Sequence, residues 1–271
     1  MDVKTATLVF FSPTATTRTV LEKIAQGMDI PVAESIDITR PEIREMPVPD
    51  FTGQILLIGA PVYAGRIPQV AADYFSSLKS SGAPAVPVVL YGNREFEDAL
   101  LELKDILDQG GFRSMAAGAF IGEHSFSTEE FLLAPGRPDS QDLDQAEEFG
   151  RKVASLLKET EKLGVLEVPG NLPYREKKNL GPVEFIEVSS QCDECSTCLV
   201  ACPVNAIDKD NGYATRDQVC IHCCACIKAC PRGARTMKEG PFKDITRWLF
   251  ANYTVRKEPQ VFYPGSAGFM G

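Results

Sequence analysis

The sequence predicts an α/β chain: a five-stranded, doubly wound parallel sheet followed by a small cysteine-rich α+β domain. Three observations predict it. Through the first 160 residues, short aliphatic runs alternate with stretches whose apolar residues recur every three or four positions. All nine cysteines lie between residues 192 and 230. The length of 271 residues, with 44% hydrophobic and 24% charged residues, suits two packed cores and excludes a disordered or fibrous chain.

The strand-like runs fall at 5–11, 32–38, 54–60, 85–92 and 114–121. Between them Val20, Leu21, Ile24 and Ala25 keep helical spacing, as do Val70, Tyr74 and Leu78, and then Phe96, Leu100, Leu103 and Leu107. A last helical pattern, Leu143, Ala146, Gly150, Val153 and Leu157, follows an Asp-rich opening and stops before Gly164. Strands alternating with helices imply a parallel sheet covered on both faces through right-handed crossovers. Residues 1–164 form this first domain.

A linker is expected over 165–184, punctuated by Pro169-Gly170, Pro173 and Gly181-Pro182 and made polar from Arg175 to Lys178. The second domain, 185–238, is an internal repeat: the cysteines at 192, 195, 198 and 202 recur 28 residues later at 220, 223, 226 and 230. The match extends to Pro203 and Pro231, and to Ala206 and Ala234. Asn211-Gly212 between the halves is a hairpin signal. In the extension 239–271, the stripe Phe242, Ile245, Trp248, Leu249 and Tyr253 reads as core-facing, and the extended segment after it is expected to fold back on the body.

The formal net charge is −9, and the acidity lies in the first domain: residues 1–165 hold 15 basic against 25 acidic side chains, the remainder 13 against 12. An acidic surface argues against nucleic acid or an anionic membrane as partner. No apolar run reaches the roughly 18 residues of a membrane span, and the N-terminus lacks a basic start, so a cytoplasmic protein is expected. The sequence leaves the oligomeric state open.

Each half of the repeat reads C-x2-C-x2-C-x3-C-P. Three cysteines so spaced wrap one face of a metal–sulfur cube and leave its fourth corner to a distant cysteine, whereas zinc asks for two knuckles of ligands. Zinc and a regulatory thiol group stay as alternatives; a secreted disulfide framework fits poorly with an odd count. Residues 185–238 resemble a bacterial-type two-cluster ferredoxin, with every ligand position filled. The resemblance implies two [4Fe-4S] clusters, one on Cys192, Cys195, Cys198 and Cys230, the other on Cys220, Cys223, Cys226 and Cys202. Cys224 is surplus and reads as a small buried side chain, and His222 as a residue that tunes solvation rather than binding iron.

The first strand runs into Ser12-Pro13-Thr14-Ala15-Thr16-Thr17-Arg18 and then a helix. Hydroxyls and free amides at a helix N-terminus cradle phosphate, although the same residues also serve a plain cap. Two more loops border the same edge: Pro61, Val62, Tyr63, Ala64 and Gly65 after the third strand, and Gly92, Asn93 and Arg94 after the fourth. Ligands of doubly wound sheets bind at that edge. Tyr63 offers a face for stacking, or is an ordinary turn aromatic; Gly65 lets backbone approach a ring.

On these loops residues 1–162 resemble a flavodoxin, with Ser12, Thr14, Thr16 and Thr17 matching the FMN-phosphate loop and Ala15 standing where glycine is usual. The resemblance implies strand order 2-1-3-4-5, Tyr63 stacking on the flavin, and residues 92–94 meeting its pyrimidine edge or N5. The whole chain is similar to flavodoxin–ferredoxin fusion proteins. It implies an electron carrier joining FMN to two clusters and to a redox protein with a basic docking face, because two oxidised clusters add about −4 to the second domain. An FMN-dependent oxidoreductase using NAD(P)H or reducing a small organic substrate is the alternative. A redox sensor is a third class. No G-x-G-x-x-G follows a strand, and the two histidines are a thin supply of acid or base; His124 reads as a surface residue.

Overall fold

The computed structural model describes residues 3–159, 164–177 and 181–265. Five parallel strands, β1 (Thr5–Phe10), β2 (Val32–Asp37), β3 (Gln54–Pro61), β4 (Pro84–Tyr91) and β6 (Ala117–Ile121), stand in the order β2-β1-β3-β4-β6. β3 and β4 are aliphatic almost throughout because both faces of the sheet are covered. α1 (Thr16–Met28) and α4 (Ser140–Leu157) cover one face; α2 (Gln69–Ser77) and α3 (Ala99–Gln109) cover the other. The expected fifth strand divides. β5 (Arg113–Ser114) and β6 both pair with β4, separated by Met115 and Ala116, which are fully buried. Phe96, expected in the third helix, lies in the turn before α3 with its ring against Tyr91, 5.5 Å between centroids.

α1 and α4 approach through glycines. A Cβ on Gly27 would fall on the Glu147 carbonyl oxygen, and one on Gly150 on that of Ile24. Asp139 caps α4 in a reciprocal capping box with Asp142, whose carboxylate also takes the buried Arg137 guanidinium.

The cysteine lobe holds two antiparallel pairs, β7 (Ile186–Val188) with β10 (Arg235–Met237) and β8 (Ile207–Asp208) with β9 (Ala214–Thr215). It also holds two short helices, α5 (Thr197–Ala201) and α6 (Ala225–Lys228). The repeat is conformational as well as chemical. Glu194 and His222, Ser196 and Cys224, and Asn205 and Gly233, each pair 28 residues apart, share the left-handed backbone with φ between 51° and 62°.

The expected linker is no free spacer. Leu166 is buried in the α2–α3 core. The amides of Asn171 and Arg175 donate to Asp98 at 2.9 and 2.7 Å, and the Tyr174 hydroxyl meets Asp105 at 2.5 Å. Acidic side chains of α3 thus hold a segment whose polarity suggested solvent. Lys178 lies outside the described residues.

The tail lies on the body. α7 (Pro241–Asn252) buries Phe242, Thr246 and Leu249, while Trp248, placed in the apolar stripe by sequence, is half exposed. Beyond it β11 (Gln260–Phe262) adds antiparallel to β6. No helix among the described residues is long and apolar enough to cross a membrane.

Gly150→Ala should lower stability by about 2 kcal/mol or more, although alanine is the better helix former by about 1 kcal/mol, because the added methyl forces α4 off α1. Urea denaturation of the variant checks the sign.

Candidate functional site

The cysteines gather in two groups. Cys192, Cys195, Cys198 and Cys230 line one small hollow, partly open to solvent, with Tyr213, Arg232 and Arg235 in its wall. Cys202, Cys220, Cys223 and Cys226 form a deeper group. Burial pushes two of these thiols up, and neighbouring thiols add to it: Cys220 to about 11, with Cys226 and Cys202 contributing, and Cys223 further, with Cys226, Cys202 and Cys220 contributing. Burial also raises Cys198 and Cys226, and the Arg235 guanidinium pulls both back. The chain crosses between the groups, as each half of the repeat supplies three cysteines to one and its last cysteine to the other. All nine cysteines are free thiols. Four soft donors per group, the second group mostly buried and the first partly exposed, fit an iron–sulfur cluster, which keeps its ligands deprotonated.

Cys224 joins neither group. It takes the left-handed position before α6 that Ser196 takes before α5, and its side chain is 2% exposed in the lobe's core. His222 packs edge-on against Phe185 and tilted against Phe242, with centroids at 5.0 and 4.4 Å.

At the sheet edge, Ser12 Oγ accepts from the Arg18 amide at 3.1 Å, and the Ser12 amide donates to Thr39 Oγ1 at 2.7 Å. Ala15 has φ 64°, the left-handed region that explains why glycine is usual there. Thr16 and Thr17 open α1, so their amides lack intrahelical acceptors. Thr17 is buried and its Oγ1 has no hydrogen-bond partner. Gly59 of β3 makes the room for it, since a Cβ there would stand 2.8 Å from Thr17 Cγ2. An orphaned hydroxyl beside free amides fits a phosphate group.

Pro61 ends β3, and the Val62 amide donates to the Leu90 carbonyl at 2.8 Å. Tyr63 and Arg66 then exchange backbone hydrogen bonds of 2.8 and 3.2 Å around Ala64 and Gly65, both left-handed at φ 51° and 83°. This tight turn presents Tyr63 to the cysteine lobe. Burial first, and then the thiols of Cys223, Cys224 and Cys220, hold the Tyr63 phenol well above its ordinary value. Two expectations change. Gly65 does not open towards a ring, because a Cβ there would collide with the Glu97 carboxylate. Asn93 does not offer its side chain to a ligand: Nδ2 donates to the Tyr253 and Val255 carbonyls at 2.7 and 2.8 Å, and Oδ1 accepts from the Lys257 amide at 3.2 Å. Arg94 pairs with Glu97 at 2.8 Å. Of the third loop, sequence reasoning missed the clasp on the tail; the left-handed Asn93, φ 64°, between Gly92 and Arg94 was its only signal.

His124 is also not a surface residue. Its ring packs where a Cβ on Gly92 would be, and its Nδ1 accepts from the Phe126 amide at 3.0 Å. Burial, followed by the charges of Arg94 and Lys228, lowers it to about 4.

The segment 177–240 matches the family model of the 4Fe-4S dicluster domain. No match was found among curated protein sequences. Among solved structures the chain is similar to a flavodoxin from the domain Archaea, at 12% identity and TM-score 0.40 over 57% of this chain and 99% of that one. It is similar to a flavodoxin of Streptococcus pneumoniae TIGR4, at 14% and 0.40 over 56% and 98%. Rubredoxin oxygen:oxidoreductase from Desulfovibrio gigas gives 13% and 0.41 over 59% of this chain but 37% of its own. The strand order β2-β1-β3-β4-β6 is itself flavodoxin-like. A flavodoxin-like sheet and a 4Fe-4S dicluster domain stand on one chain.

Because the unfolded chain protonates His124 near 6.5 and the folded one near 4, the unfolded state binds the extra proton between these values. Stability should therefore be complete above pH 6.5 and fall as pH drops towards 4. Denaturation midpoints across this range should flatten in His124→Gln.

Proposed function

We propose that the chain is an electron-transfer protein in which FMN at the sheet edge and two [4Fe-4S] clusters on the cysteine groups make one internal path to a redox partner. The observation that carries this reading is the docking of the cysteine lobe on the loop edge of the sheet: Lys228 donates to Glu123 and to the Ser127 carbonyl at 2.6 and 2.8 Å, and Ile221, between Cys220 and Cys223, packs on the sheet's own core.

When bound, FMN supplies exchange of one or two electrons and each cluster of one. The residues do the rest. Thr16, Thr17 and the Ser12 loop anchor the phosphate, and the Tyr63 turn bounds the ring. Cys202, Cys220, Cys223 and Cys226 would hold the more deeply placed cluster. Cys192, Cys195, Cys198 and Cys230 hold the other at the surface, where Cys195 is exposed. The shallow group is the exit or entry for electrons, and the chain's acidity favours a partner with a basic face, with docking weakened by salt.

Anaerobic reconstitution followed by optical titration tests the reading. Flavin and cluster absorbance should both bleach with dithionite while NADH and NADPH leave them unchanged; rapid bleaching by a nicotinamide with turnover of an added acceptor would make the chain a reductase instead. Cys202→Ala should keep about four of roughly eight irons, and loss of none, or of all, would count against the crossed quartets. Thr17→Val should leave the apoprotein as stable as before or slightly more so, since it removes a buried hydroxyl without a partner, while weakening FMN binding about tenfold, or ~1.4 kcal/mol. Calorimetric titration with FMN measures the second effect.

A further inference from the structure

The cysteine repeat departs from itself at one buried position. Twenty-eight residues after Ile207, which is 5% exposed in the lobe's core, stands Arg235, 2% exposed and among the largest fully buried side chains. An arginine where the companion half has an isoleucine needs a reason, because a buried guanidinium is strongly unfavourable without a counter-charge. Among the described residues no carboxylate pairs with it. Nη1 donates to the Tyr213 carbonyl at 2.6 Å and Nη2 to Thr215 Oγ1 at 2.5 Å, while Nε is buried with no partner. These contacts fix the group in place but are neutral.

The groups within its reach that would become anionic on holding a cluster are cysteines. Nη1 stands 4.0 Å from Cys198 Sγ, and the guanidinium charge also bears on Cys226. Cys198 belongs to the shallow quartet and Cys226 to the deep one.

We propose that Arg235 is a positioning residue shared by the two quartets, a fixed cation between them that raises the reduction potentials of both clusters. The inference rests on reading the quartets as [4Fe-4S] sites. On reduction each cluster takes up one electron and becomes one charge more negative, so a nearby cation stabilises the reduced form. Arginine suits the task because it stays protonated even when buried. A lysine would carry the charge without the fork that also holds Tyr213 and Thr215.

The test is a redox titration of the full-length reconstituted protein, followed by electron paramagnetic resonance, with iron and sulfide counted for each sample. Arg235→Gln keeps hydrogen-bonding capacity and removes the charge; Arg235→Lys keeps the charge. Both midpoint potentials should move to more negative values in Arg235→Gln and stay near wild type in Arg235→Lys. Unchanged potentials in Arg235→Gln, or a shift confined to one cluster, would overturn the proposal. If Arg235→Gln fails to assemble clusters while Arg235→Lys assembles both, the need for charge is upheld. If Arg235→Lys fails as well, the requirement is for the fork geometry and the proposal falls. A wild-type protein that takes up no cubane iron would refute the reading of the quartets, an outcome separate from any of these.

Discussion

The seating of the cysteine lobe on the carboxyl edge of the sheet is the constraint on which the rest of the structure depends. Parallel strands send every loop that follows them to one edge, so the candidate flavin loops converge there. The lobe is then held against that edge by a few directed contacts. Lys228, on the helix that carries Cys226, donates to Glu123 at 2.6 Å and to the Ser127 carbonyl at 2.8 Å. Arg44 reaches the Pro203 carbonyl at 2.7 Å, directly after Cys202. Phe126 meets Phe242 edge-on at 5.6 Å, and Ile221 packs on the sheet's own core. Each of these anchors lies within two residues of a cysteine or on the elements that frame them, so the lobe's docking and the positions of its sulfurs are one problem.

The same economy appears in the linker and tail. A loose 20-residue spacer would let the two lobes meet at an effective concentration set by diffusion on a tether. Here Asp98, Glu102 and Asp105 on α3 bind the linker along its length, with Arg66 bridging Glu102 at 2.8 Å and lying 4.5 Å over the Tyr174 ring. Fixed geometry replaces collision, and a transfer distance between lobes becomes a property of the fold.

Much of this was legible in the sequence, for physical reasons that differ by element. The strands of the sheet showed because a doubly covered strand must be apolar on both sides. The cysteine motifs showed because their spacing repeats 28 residues on, which no fold is needed to see, while the crossed assignment came from the resemblance to two-cluster ferredoxins. What stayed hidden depends on tertiary placement. The pause at Met115–Ala116 has no turn residue to mark it, since both are apolar and buried. Asn93 has the composition of a ligand loop and serves as a clasp. Leu166 is one apolar residue in a polar segment, too little for periodicity to register. Arg235 was visible as a mismatch within the repeat, but its meaning needed the burial and the distance to Cys198. His124 looked solvent-facing because a single residue after a strand carries no pattern.

The last strand also settles how the sheet ends. A parallel sheet leaves two rows of unpaired amides and carbonyls, each a template for another chain. β2 guards its side with a short, solvent-exposed run that includes Glu34 and Ser35. The opposite side, β6, is Ala-Gly-Ala-Phe-Ile, wholly buried and without a charge to repel a neighbour. β11 supplies that neighbour from within, and the Asn93 clasp, the Arg137 bond to the Lys257 carbonyl and the Arg256–Asp139 pair hold it there. The C-terminal segment is thus a guard against self-association: without it, the most apolar strand edge of the molecule would face other copies of itself.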